Sequence, residues 1–147
     1  MFAEEQGSFL GGAAAALTTE TDHVGFIGGV NIELIQKFEA GFAAGVAAID
    51  PAITVDVEYL TEPPDFDGFN APDRGREVAT SMYEGGADVV YAAAGGSGGG
   101  VFEAALMKVL ALRTWPFESL RLKSRSRTSL FRLERFCEIA TRRPSTV

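Results

Sequence analysis

The sequence predicts an α/β fold, a parallel β-sheet with helices on both faces. Apolar strand-like segments at residues 24–27, 53–59 and 88–93 alternate with segments of helical spacing. That order requires right-handed crossovers between parallel strands. Each strand also runs into a loop rich in glycine, proline or polar residues, at 28–32, 61–72 and 95–100. In sheets of this class the ligand crevice lies beyond the carboxyl ends of the strands, so these three loops are the places to look for a site.

Residues 4–17 are alanine-rich and suit a helix. Gly7, Gly11 and Gly12 each weaken it by roughly 1 kcal/mol relative to alanine, but small residues also permit close packing. Val24-Gly25-Phe26-Ile27 reads as a buried strand, with Gly28-Gly29 as a tight turn that closes it. From residue 32 to 49, Leu34, Ile35, Phe38, Phe42, Val46 and Ile49 recur close to helical spacing, and Asp50-Pro51 ends that helix. Residues 53–59 alternate apolar and polar, a strand with one face covered. A polar loop with prolines at 63, 64 and 72 follows. Residues 73–83 read as a helix with Asp73 at its positive end, stopped by Gly85-Gly86. The third strand, the glycine loop and a helix opening at Val101 complete the pattern.

A length of 147 residues fits one domain. The composition, 46% hydrophobic and 22% charged, is that of an ordinary globular protein. One cysteine, Cys137, excludes an internal disulfide framework, and with one histidine, His23, neither a metal site nor a cofactor is expected. The longest apolar run, residues 9–17, is too short to span a bilayer. Glu4 and Glu5 stand where an export signal would carry positive charge, so no targeting segment is read there. The net charge of −7 hides a break: residues 1–105 hold 17 acidic and 3 basic residues, residues 106–147 hold 3 acidic and 10 basic. All 17 glycines fall in the first part. Two sequence regimes therefore meet near Ala105. The acids of the first part are scattered, which fits solvation at high salt better than steering of a cationic ligand.

The glycine loop invites three motif readings. A dinucleotide fingerprint starting at Gly96 and Gly98 finds Val101 where its third glycine belongs, and a phosphate-binding loop would end in lysine, which is missing here. Gly95-Gly96-Ser97-Gly98-Gly99 matches the G-x-S-x-G of a hydrolase nucleophile elbow, but no histidine follows Ser97. Without catalysis, the loop's backbone can approach a ligand closely, or it is simply a tight strand-to-helix turn. Phe66 and Phe69, in the preceding polar loop, are either satellites of the core or platforms for a planar ligand.

Four stretches together resemble the basic membrane protein (PnrA-like) family. They are Phe2-Ala3-Glu4-Glu5-Gln6-Gly7-Ser8-Phe9-Leu10, residues 24–29 followed by Lys37-Phe38-Glu39-Ala40-Gly41-Phe42, Gly68-Phe69-Asn70-Ala71-Pro72-Asp73-Arg74-Gly75, and residues 94–105. The resemblance covers about residues 2–105. It implies a solute-binding lipoprotein of an ABC transporter with the type I periplasmic-binding-protein fold, whose two lobes close around a ligand. It also implies a small-molecule ligand, a purine nucleoside in several members, with the base held between aromatic side chains, and an ABC permease as partner at the cell surface or periplasm. Carried over by position, Phe69 is the stacking aromatic, and Gly95 and Gly96 are backbone contacts. Phe66 lies outside the matching stretch. Residues 1–20 correspond to a helix left from the first lobe and 21–105 to a partial second lobe, whose open sheet is expected to expose apolar edges and faces.

Residues 106–147 have no counterpart in the resemblance. Leu130, Leu133, Cys137 and Ala140 are spaced for one face of a basic amphipathic helix. Ser124-Arg125-Ser126-Arg127 is thin support for nucleic-acid contact, and no nucleic-acid partner is expected. An out-of-frame translation or fusion scar accounts for the abrupt change more simply. The expected function is a binding module with no catalytic residue. The alternatives are an enzyme using Ser97, or a ligand-sensing regulator, which would need an attached DNA-binding domain.

Overall fold

The computed structural model describes residues 3–114, with side chains through residue 110. The expectations for Leu130, Leu133, Cys137, Ala140 and residues 124–127 lie outside the described residues.

Helices and strands alternate as α1 (Glu4–Thr18), β1 (His23–Val30), α2 (Glu33–Ile49), β2 (Thr54–Thr61), α3 (Pro72–Glu84), β3 (Val89–Ala93) and α4 (Gly98–Thr114). Short 3-10 turns stand at Asp67–Phe69 and Gly95–Ser97. The strands form one parallel sheet in the order β2-β1-β3. The predicted class is therefore the observed one. β1 is central and buried from Val24 to Val30. Its side chains alternate between two cores: Val24 and Phe26 pack with Ile35, Phe42 and Val46, and Ile27 packs with Leu60, Ala79, Met82, Val101 and Ala104. Both faces of the sheet are covered, α1 and α2 on one and α3 and α4 on the other, as a parallel sheet requires.

The first core is aromatic at its centre. Phe26 lies 5.9 Å from Phe42, 5.8 Å from Tyr91 and 6.4 Å from Tyr59, centroid to centroid. α1 meets α2 at near backbone contact, since a Cβ on Gly45 would stand 2.0 Å from the Phe9 carbonyl oxygen. The small residues of α1 are thus the packing surface that its composition allowed. At the outer side of the sheet all five residues of β3 are only half-buried, and α4 carries Phe102 and Leu106 at 75% and 59% exposure.

The structure corrects two boundaries. Gly28-Gly29 is not a turn: β1 continues to Val30, with Gly28 opposite Tyr59 and Ala93, and Val30 opposite Thr61. Glycine breaks structure when judged locally, but a middle strand draws its ladder from neighbours on both sides, and a glycine there admits a bulky neighbour. Tyr59 fills that space, so the expected 28–32 loop shrinks to Asn31-Ile32. The 95–100 loop is also mostly helical. Gly95–Ser97 forms a 3-10 turn, and α4 starts at Gly98 rather than Val101. Packing of α4 on α3 outweighs the poor helix propensity of three consecutive glycines. α4 then runs to Thr114, across the composition break at Ala105.

Tyr59 donates a hydrogen bond to the Glu39 carboxylate. Burial first, then that bond and the charges of Glu39 and Glu62, push its phenol pKa well above the ordinary 10.0. Burial and Asp88 raise Tyr83 in the same direction. A raised phenol pKa adds stability that is present below pH 10 and is lost as pH climbs toward the folded-state value. Urea midpoints should therefore fall above pH 10, and the fall should be shallower in Tyr59→Phe. Identical alkaline slopes in the two proteins would contradict this.

Candidate functional site

The three parallel strands end on one edge of the sheet. There β1 passes into Asn31, β2 into Glu62 and β3 into Ala94. Asn31 is seated by its backbone N–H on the Thr61 carbonyl at 3.0 Å. Its side-chain amide donates to Glu62 Oε1 at 3.0 Å, and Gln36 Nε2 donates to Asn31 Oδ1 at 2.8 Å. These polar groups were not singled out in the sequence, although each follows a strand end or opens the next helix.

Phe69 closes the 3-10 turn that follows β2. Its half-buried ring lies over the backbone of Gly29, where an added Cβ would stand 2.5 Å from Cδ1. Gly95 leaves β3 with φ +54°, a left-handed conformation that side-chain-bearing residues rarely adopt. A Cβ on Gly95 or Gly96 would stand 3.3 or 3.2 Å from the Phe69 carbonyl oxygen. Phe69, Gly95 and Gly96 are thus brought together from distant stretches of the chain. Phe66 stands on the rim, 56% exposed.

The loop that carries Phe69 is tied down by hydrogen bonds. Thr61 Oγ1 donates to the Asp65 carbonyl at 2.7 Å, and Arg74 Nη1 donates to the Leu60 carbonyl at 3.2 Å. Beside it opens a cleft of about 560 Å³, lined by Asp65, Asp67, Asn70, Ala71, Asp73 and Arg74 among others. A flat aromatic surface beside glycine backbone and fixed amides can hold a small planar ligand that carries hydroxyls.

Ser97 is not a nucleophile in this arrangement. It is fully buried, its hydroxyl donating to the Gly68 carbonyl and accepting from the Ala71 N–H, both at 2.7 Å. A nucleophile needs access and an adjacent base. His23 opens β1 at the opposite end of the sheet, about 20 Å away at roughly 3.3 Å per strand residue, and pairs with Asp56 at 2.7 Å.

Comparison with known proteins agrees with this architecture. Over 101 residues the chain is 48% identical to the CD4+ T-cell-stimulating antigen of Listeria monocytogenes, covering 69% of this chain and 27% of that protein. It is 40% identical over 104 residues to the ABC transporter nucleoside-binding protein BmpA of Lactococcus lactis, covering 71% of this chain and 28% of that protein. The chain therefore spans less than a third of the length of these relatives. Its fold is similar to that of an ABC transporter solute-binding protein from Conexibacter woesei, with a TM-score of 0.60 and 23% identity over 71% of this chain and 32% of that one. A solute-binding protein from Aeropyrum pernix gives 0.57 at 24% identity, over 76% of this chain and 31% of that one. The family model described as ABC transporter substrate-binding protein PnrA-like matches residues 1–109. With most of its length matched by that model, the chain belongs to the PnrA-like family of ABC transporter substrate-binding proteins.

Proposed function

We propose that this chain supplies one wall of a purine-nucleoside site in a solute-binding protein that feeds an ABC permease. The family is one of solute-binding proteins and not of enzymes. In this reading, residues 21–105 belong to the second lobe, residues 1–20 lead in from the first, and residues 106–147, of which the family model reaches only 106–109, are foreign to the family. The base stacks on Phe69, and the backbone of Gly95 and Gly96 meets the ligand's edge. The carrying observation is that Phe69, Gly95 and Gly96 adjoin at the carboxyl edge of the sheet, where α/β folds bind ligands. The name of the Lactococcus relative, a nucleoside-binding protein, supports the choice of ligand. The site acts outside the cytoplasm, on a membrane-anchored protein. Among the described residues no helix is long and apolar enough to cross a membrane.

The test is a titration with adenosine, inosine and guanosine followed by NMR chemical shifts. A single wall binds more weakly than two closed lobes, and the shifts should cluster at residues 66–70 and 94–97. Base–aromatic stacking is worth about 1–3 kcal/mol, so Phe69→Ala should weaken binding by roughly tenfold or more. Equal binding by the two proteins would remove Phe69 from the site. Absence of shifts with every nucleoside would remove the nucleoside.

A further inference from the structure

We infer that Ser97 is the positioning residue of this site, a buried latch whose hydroxyl sets where Phe69 stands relative to Gly95 and Gly96. This deepens the proposed function and rests on it. Core packing meets the Phe69 ring from the side of Gly29, but the ring is only half-buried and rides on a short turn in a polar loop. The backbone on either side of it is joined to the glycine turn by one atom. Ser97 Oγ donates to the carbonyl of Gly68, immediately before Phe69, and accepts the N–H of Ala71, two residues after it. Ser97 itself ends the turn that contains Gly95 and Gly96, and its backbone N–H is anchored on the Ala94 carbonyl at 3.1 Å.

One hydroxyl therefore joins the proposed stacking aromatic to the proposed backbone contacts. Its burial is complete, so water cannot replace it without opening the loop. The G-x-S-x-G match thus marks a serine spent on geometry: with its donor and acceptor both committed to the loop, it positions the residues around it. Removing the hydroxyl strands a buried carbonyl and an amide that have no other described partner in the loop, a loss the loop can relieve only by moving.

The experiment has two arms. In the first, amide hydrogen exchange is measured on the unliganded chain. Ser97→Ala should speed exchange across residues 66–71 by roughly tenfold and leave the α1–α2 pair unchanged. In the second, nucleoside affinity is measured in a double-mutant cycle. Ser97→Ala should weaken binding several-fold when Phe69 is present and should have no effect on a Phe69→Ala background. Unchanged exchange at 66–71, or the same fold-loss on both backgrounds, would overturn the latch. If the wild-type chain binds no nucleoside, the ligand assignment fails by itself and the exchange arm still decides the latch. Should Ser97→Ala fail to fold, Ser97→Cys puts a larger atom there but keeps a weaker donor and acceptor, and the same two readouts apply to it.

Discussion

Phe26→Ala should lower the stability of the α/β unit by about 3–5 kcal/mol, the range for truncating a buried phenylalanine. Phe26 is fully buried on the central strand and lies beside an aromatic from each of three elements: Phe42 on α2, Tyr59 on β2 and Tyr91 on β3. The cavity cannot collapse easily, because those rings are held by three different elements. A domain's whole stability is about 5–15 kcal/mol, so this one change removes a large share of it and the urea midpoint should drop well below that of the unmutated chain. Urea melts followed by circular dichroism read this directly, with an unchanged slope as the check that only stability has moved. A loss below about 1 kcal/mol, the scale of a surface change, would mean that the aromatic cluster is not the centre of the core.

Gly100→Ala and Gly99→Ala should have opposite signs, although the residues are neighbours in the same helical turn. A Cβ on Gly100 would stand 1.8 Å from the Pro72 carbonyl oxygen and 2.8 Å from the Arg76 nitrogen, so α4 and α3 would have to part. Overpacking of this kind costs about 1–3 kcal/mol or more, and Gly100→Ala should stand at the upper end because the obstacle is backbone. Gly99 has nothing within 4 Å of an added Cβ. There alanine should raise stability by roughly 0.5–1 kcal/mol through better helix propensity. Paired urea midpoints on the two variants decide it; two losses, or two gains, would contradict the packing of α4 on α3.

The glycine run shows where reading the sequence stops. Its composition fits a ligand cradle, a tight turn or a close helix contact equally well, because glycine is permissive in all three. The structure uses it for several purposes at once: a left-handed turn at Gly95, a helix start at Gly98 and a helix–helix contact at Gly100. Gly28-Gly29 is a similar case, read as a turn from its neighbours in sequence and found in a strand. Ser97 is a third case. The missing histidine already argues against a nucleophile, but only the positions of Gly68 and Ala71 reveal what the hydroxyl does instead, donating to one and accepting from the other inside the fold.

By itself, the sequence determined the order of helices and strands, the parallel class of the sheet, the break in composition near Ala105 and the family resemblance. Each of these is written in local periodicity, in the alternation of segment types or in side-chain identity along the chain. Tertiary structure alone decided the strand order β2-β1-β3, the Gly29 backbone beneath the Phe69 ring, and the meeting of Phe69 with Gly95 and Gly96. Those depend on which backbone approaches which, and that distance is set by packing between segments far apart in the chain, where a residue's own propensity carries no record of its eventual neighbour.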